Sequence, residues 1–120
     1  MSFSEEDLAS LEGAEEVEIE TQAPGNPARR TVVWVVVDEA EVFIRTFKGP
    51  DSRWYRDAMA NPAVAIHVAD QRLPATAIPA TDPDSIERVT NGFVAKYRPG
   101  ASTTAMATQY FDTTLRLEPA

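Results

Sequence analysis

Residues 29–38 read Arg29-Arg-Thr-Val-Val-Trp-Val-Val-Val-Asp38, with six consecutive apolar side chains from Val32 to Val37. β-Branched residues crowd a helix but sit well on a pleated surface, so the run predicts a strand. A strand with one wet face alternates apolar and polar residues; an unbroken run marks a strand covered on both faces. In a chain of 120 residues, two covered faces call for a barrel or for an interface between copies.

The flanks agree. Before the run lies a turn cluster, Ala23-Pro24-Gly25-Asn26-Pro27. Before that, residues 16–22 alternate, with Val17, Ile19 and Thr21 on one face, which predicts a half-buried strand. Ser4 reads as the cap of a short helix ending near Gly13, with Phe3 and Leu8 placed as a hydrophobic staple. This acidic leader, residues 1–13, reads as polar and dispensable to the barrel. After the run, Asp38-Glu39-Ala40 reverses the chain. The return strand, residues 41–48, carries Val42, Ile44, Thr46 and Lys48 on one face and Phe43, Arg45 and Phe47 on the other.

Gly49-Pro50 ends that strand, and Asp51 or Ser52 caps a helix to about Ala60. Its inward stripe is Trp54 with Ala58 and Tyr55 with Met59. Residues 63–69 predict a strand with Val64, Ile66 and Val68 inward. Residues 73–80 carry Pro74 and Pro79, which predicts an edge strand or a bulge. Asp82-Pro83 opens a helix with Ile86, Val89, Thr90, Phe93 and Tyr97 at helical spacing, ended by Pro99-Gly100. A helical turn over 102–107 and a last strand over 110–118 follow. The expected fold is therefore mainly β with short helices (α+β): a single domain built on a six-stranded antiparallel split β-barrel. Helices do not regularly follow strands, so a doubly wound βαβ fold is disfavoured.

Charge and composition narrow the function classes. The net charge is −8, and eight of the 19 acidic residues lie in the first twenty positions with no base among them. The rest of the chain is balanced, with eleven acids and eleven bases. Nucleic-acid binding is disfavoured by the overall charge. There is no cysteine, hence no disulfide framework and no thiolate metal site. No apolar run reaches the roughly 20 residues of a membrane helix. The acidic N-terminus is unlike a secretory or transit peptide, so a cytoplasmic protein without membrane or nucleic-acid partners is expected.

The stretch from Arg45 to Tyr55 holds most of the candidate chemistry. A strand ends in Thr46 and Lys48, a glycine loop follows, and a helix opens with Ser52, Arg53 and Trp54. A helix N-terminus presents free N–H groups and the positive end of the dipole, so a hydroxyl, a lysine and an arginine there make a phosphate cradle. Arg29 and Arg30 open the paired strand and reach toward the same anion. The lone His67 reads as structural, since one histidine builds no ordinary metal site. No Gly-x-Ser-x-Gly elbow and no carboxylate pair is evident, so no catalytic residue is assigned.

Three segments together, residues 29–38, residues 42–49 and residues 53–62 (Arg53-Trp-Tyr-Arg-Asp-Ala-Met-Ala-Asn-Pro62), resemble the pyridoxamine 5′-phosphate oxidase-like split barrels. The likeness covers roughly residues 14–118 and is nearest to the deazaflavin-dependent nitroreductase branch and an uncharacterised family beside it. The resemblance implies an FMN-binding type of barrel, a homodimer, and FMN or a deazaflavin coenzyme in a groove between subunits. It also implies oxidoreductase chemistry in which the coenzyme carries the hydride. Carried over by position, Thr46, Lys48, Ser52 and Arg53 contact phosphate, Arg30 supports them from the neighbouring strand, and Trp54 packs behind. The loop Gly49-Pro50-Asp51 is shorter than the nitroreductase pattern. The alternative is a cofactor-free dimeric barrel that binds another small anion or serves as an interaction module.

Overall fold

The computed structural model describes residues 2–120. A helix α1 (Glu5–Gly13) leads into strands β1 (Val17–Thr21), β2 (Arg29–Val33), β3 (Val36–Asp38) and β4 (Glu41–Ile44). Helix α2 (Arg53–Ala60), strands β5 (Ala63–Val68) and β6 (Gln71–Pro79), and helices α3 (Pro83–Lys96) and α4 (Ala101–Thr108) follow. A 3-10 turn (Phe111–Thr113) and β7 (Leu115–Pro119) complete the chain. The sheet is mixed only in chain order: every pairing is antiparallel, in the order β2-β1-β5-β6-β7-β4-β3.

The sheet has seven strands where six are expected, because the valine run makes two. Residues 29–33 pair with β1 at one end of the strand order, and residues 36–38 pair with β4 at the other. The run thus leaves one edge of the sheet and joins the opposite edge, so the sheet curls. Trp34 and Val35 span the gap without a ladder partner. The last residue of α3 and its C-cap serve the freed backbone instead: the Val35 N–H donates to the Tyr97 hydroxyl at 3.1 Å, and Lys96 Nζ donates to the Val35 carbonyl at 2.8 Å. The Tyr97 hydroxyl in turn donates to the Glu15 carbonyl at 2.7 Å. Burial raises the Tyr97 pKa to about 12 and lowers that of Lys96, since each charged form loses water. Tyr97→Phe orphans the buried Val35 N–H, which costs about 1–3 kcal/mol. Urea unfolding should show that loss with an unchanged slope.

The two covered faces of the run come from the chain itself. Val33, Val35, Val42, Ile44, Ile66 and Leu117 fill the barrel interior. Val36 and Phe43 point the other way, under Val89 and Phe93 of α3. The helix approaches β3 so closely at Gly92 that a Cβ there would overlap Val36 Cγ1, which is why this helix carries a glycine mid-span. Val32 alone among the five valines of the run stays open, at 54% exposure.

Strand β6 lies inside the sheet, not at an edge, and its prolines explain how. It pairs with β5 over residues 71–76 and with β7 over residues 75–79. The Ala77 N–H points toward the β5 side, to the Pro62 carbonyl, and the Pro74 carbonyl points toward the β7 side, to the Ala120 N–H. Alternation then sends the ring nitrogen of Pro74 toward Ala120, just past the end of β7, and that of Pro79 to the flank where β5 has run out. Each proline sits at a local edge of a staggered interior strand, where a missing N–H is tolerated.

The leader is less dispensable than its acidity implies. Ser4 does cap α1, its hydroxyl accepting from the Asp7 N–H at 3.1 Å. Yet Leu11 is fully buried and Phe3 nearly so, and both belong to the barrel core, with Leu8 packed against it. The last predicted strand is also shorter: residues 111–113 form the 3-10 turn, and Phe111 is exposed. Met59 of the predicted inward stripe faces solvent, whereas Trp54 and Ala58 are buried.

On the outer face of the sheet, the Glu20 carboxylate takes two bonds from Arg72, at 3.1 and 2.9 Å, and lies 2.6 Å from His67 Nε2. The Arg72 bonds first, then the His67 bond, hold the Glu20 carboxyl at about 2, below its ordinary 4.5. A carboxylate with a depressed folded pKa adds stability above its unfolded pKa, and that stability is lost as pH falls through the folded value. Glu20→Gln should therefore flatten the acid limb of stability between pH 4.5 and about 2. An unchanged profile of urea midpoint against pH would show that the trio contributes nothing there.

Candidate functional site

Where the closing run passes the loop before α2, the surface opens into a groove of about 570 Å³. Its walls come from β2 and the crossover (Val32, Val33, Trp34), from the segment after β4 (Arg45, Phe47, Lys48), from the start of α2 (Ser52, Arg53, Trp54) and from α4 (Ser102, Met106). Glu16 and Thr31 complete the lining.

The rim is basic. Lys48 and Arg53 are exposed, and no carboxylate lies within ion-pair distance of either among the described residues. Ser52 occupies the N-cap of α2 but makes no side-chain cap bond. Its hydroxyl and the first N–H groups of the helix are therefore free of internal capping, at the positive end of the helix dipole. Four of the six residues expected at the site, Lys48, Ser52, Arg53 and Trp54, thus meet in one groove.

The other two do not line it. Arg30 lies across the β1–β2 ladder and pairs with Glu18 at 2.6 Å. The Thr46 hydroxyl is buried, lies 2.8 Å from Thr113 Oγ1 and accepts from the Gly49 N–H at 3.0 Å. The Thr113 hydroxyl donates to the Tyr110 carbonyl at 2.7 Å, so the Thr46 hydroxyl is the donor to Thr113. Thr46 thereby shapes the loop that carries Lys48. Gly49 helps: it has φ +93°, and a Cβ there would come 2.7 Å from Tyr110 Cε1. Glycine is required at this position both for the dihedral and for the ring packed on it.

The aromatic wall is rigid. Trp34 stacks on Tyr97 with centroids 3.9 Å apart and planes at 3°. Trp54 is buried behind the rim and meets Tyr55 edge-on. Val32 and Phe47, both more than half exposed, flank the opening.

Arg45, which opens the candidate stretch but was assigned no contact there, also lines the groove. It is 1% exposed and held by neutral oxygens of α3, α4 and the segment before β7. An arginine amid the apolar positions of a predicted strand was the available signal. His67, bound to Glu20, lies outside the groove, and among the described residues no group of acids and histidines could hold a metal ion.

A family model described as "uncharacterized protein conserved in bacteria (DUF2255)" matches residues 7–117. No curated protein matches the chain. Several solved structures share the fold. An F420-H2-dependent reductase, FDR-A, superposes with a TM-score of 0.67 at 21% identity, covering 87% of this chain and 94% of its own. A putative pyridoxamine 5′-phosphate oxidase from Listeria innocua gives 0.68 at 14% identity, covering 95% and 90%. HutZ, the heme storage protein from Vibrio cholerae, gives 0.71 at 14% identity, covering 100% and 92%. At these identities the likeness establishes the fold, that of the pyridoxamine 5′-phosphate oxidase-like split barrels, with deazaflavin-dependent reductases among its neighbours. Among the described residues no helix is long and apolar enough to cross a membrane.

Proposed function

The chain belongs to the DUF2255 family of uncharacterized bacterial proteins, and we propose that it binds FMN or a deazaflavin coenzyme in the groove and serves as an oxidoreductase at a homodimer interface. One observation carries the reading: two cations without an ion-pair partner among the described residues, Lys48 and Arg53, stand at a helix start with no side-chain cap, beside an apolar wall with a stacked indole. A ligand with an anionic tail and a flat ring system matches that division of charge.

The residues present fit such a group. Lys48, Arg53 and the Ser52 hydroxyl supply donors for a phosphate, and charge-assisted bonds of this kind are the strong ones. Thr46 and Gly49 hold the loop in shape, and Trp34 and Trp54 give the ring an apolar setting that limits water. When bound, the coenzyme supplies the hydride chemistry. The protein's share is to bind and orient it. Arg30, tied to Glu18, supports the rim only at a distance by its charge. Val32 and Phe47 are large apolar side chains left open beside the groove, which supports a second copy covering them.

The test is titration of the purified protein with FMN and, separately, with the deazaflavin coenzyme, followed by fluorescence. Saturable binding with Kd in the micromolar range or below, about −8 kcal/mol, is expected for one of them. No saturation by either at about millimolar concentration would leave the cofactor-free barrel as the better reading.

A further inference from the structure

We propose that Arg45 makes the floor of this groove a subsite for the carboxylate of a flat organic acid, distinct from the phosphate clamp at the rim. The inference rests on the groove being a ligand site and goes beyond the coenzyme reading.

The Arg45 guanidinium is almost completely buried. Its Nε donates to Thr114 Oγ1 at 2.8 Å. Nη1 donates to Thr90 Oγ1 at 3.1 Å and to the Met106 carbonyl at 2.8 Å, and Nη2 donates to the Ile86 carbonyl at 3.3 Å. Every acceptor is neutral. Four of the five N–H groups are used; the fifth, on Nη2, has no protein partner. No carboxylate lies within ion-pair distance of Arg45 among the described residues, although Arg88 gathers Asp38, Glu39, Glu41 and Asp84 at the opposite end of β4. The faces of Phe93 and Phe111, 5.6 and 5.0 Å from the guanidinium carbon, are its only other partners with negative character.

A buried charge with neutral partners alone is unfavourable, and burial accordingly draws the Arg45 pKa down to about 10. A framework role would use the hydrogen bonds but not the charge. Arg45 keeps a full positive charge at neutral pH, and it is itself a lining residue of the groove, bonded to the Met106 carbonyl. An anion arriving there meets a cation that no internal acid has neutralised, in surroundings that screen the attraction poorly. The body of that anion faces Val33, Trp34, Trp54 and Met106. Those walls suit an apolar ring and leave a bare inorganic ion without contacts on most sides. The rigid Trp34 plane favours a flat one.

The probe is benzoate, with benzamide as its neutral counterpart, titrated at constant ionic strength into the protein in its native assembly. The readouts are the Arg45 Nε–H and Trp34 indole N–H resonances. Benzoate should bind saturably and shift both signals, with benzamide weaker by about tenfold or more. Lys48→Ala with Arg53→Ala should leave benzoate binding intact, whereas Arg45→Met should weaken it by about tenfold or more. Equal binding of the two probes, an unmoved Arg45 signal or no saturation overturns the proposal. So does binding that survives Arg45→Met but is lost in the double variant, because the anion then sits at the rim. Should Arg45→Met fail to fold, the two probes on the unaltered protein decide the matter. Benzoate binding without coenzyme binding sinks the coenzyme reading alone; the converse sinks this one alone.

Discussion

Replacing Lys48 and Arg53 together by alanine is expected to weaken coenzyme binding about a hundredfold and to leave the melting temperature unchanged. Both side chains are exposed, and neither has an ion-pair partner among the described residues, so surface substitutions of this kind stay within about 0.5 kcal/mol. On a phosphate each donates a charge-assisted bond, worth about 1.5–3 kcal/mol. Two at the lower bound give about 3 kcal/mol, or two powers of ten in Kd. The salt dependence of binding should fall with them, because fewer charges remain to be screened. Measurement is by fluorescence titration at two ionic strengths. Equal affinities for the parent and double variant would place the phosphate elsewhere, and the barrel would need another anchor.

Leu11→Ala is the second large effect. Leu11 is fully buried in the barrel core although it sits on a helix that carries four acids. Truncating a buried leucine removes its transfer free energy and leaves a cavity, for about 2–5 kcal/mol. The Leu11 carbonyl also accepts a bond from Lys96 Nζ at 3.1 Å, and that lysine holds the Val35 carbonyl. A shifted α1 would therefore loosen the crossover. For a chain of this size a loss near 3 kcal/mol lowers Tm by roughly 10 °C. Leu8→Ala, at a position only partly buried, should cost about half as much or less. A loss below about 1 kcal/mol at Leu11 would show that the leader is held loosely and that the barrel closes without it.

Much of this molecule is local and was readable. Caps at Ser4 and Asp82 come from short polar side chains beside apolar periodicity, and both bond as expected, to the Asp7 and Ser85 N–H groups. The inward alternation of Val17, Ile19, Val64 and Ile66 follows from the two-residue period of a strand. The helix behind Gly49-Pro50 follows from backbone chemistry that needs no partner, although the strand before it ends at Ile44 and not at Lys48 as expected. So does the meeting of Lys48, Ser52 and Arg53, which are close in sequence.

What was missed depends on partners far away in the chain. Residues 29–38 by themselves determine an extended, apolar backbone; nothing within them says that it should leave one edge of a sheet at Trp34 and join the other at Val36. That is decided by Tyr97 and Lys96, some 60 positions later, which take over the hydrogen bonds of Val35. Pro74 and Pro79 determine a missing donor at each position, but whether that excludes an interior strand depends on the stagger of β5 and β7. Arg45 determines a cation in an apolar stretch; its burial among Thr90, Met106 and Thr114 exists only once α3, α4 and β7 have packed around it. Propensity and periodicity act over a few residues and are written in the chain. Which backbone group loses its water, and which side chain replaces that water, is settled only when distant segments meet.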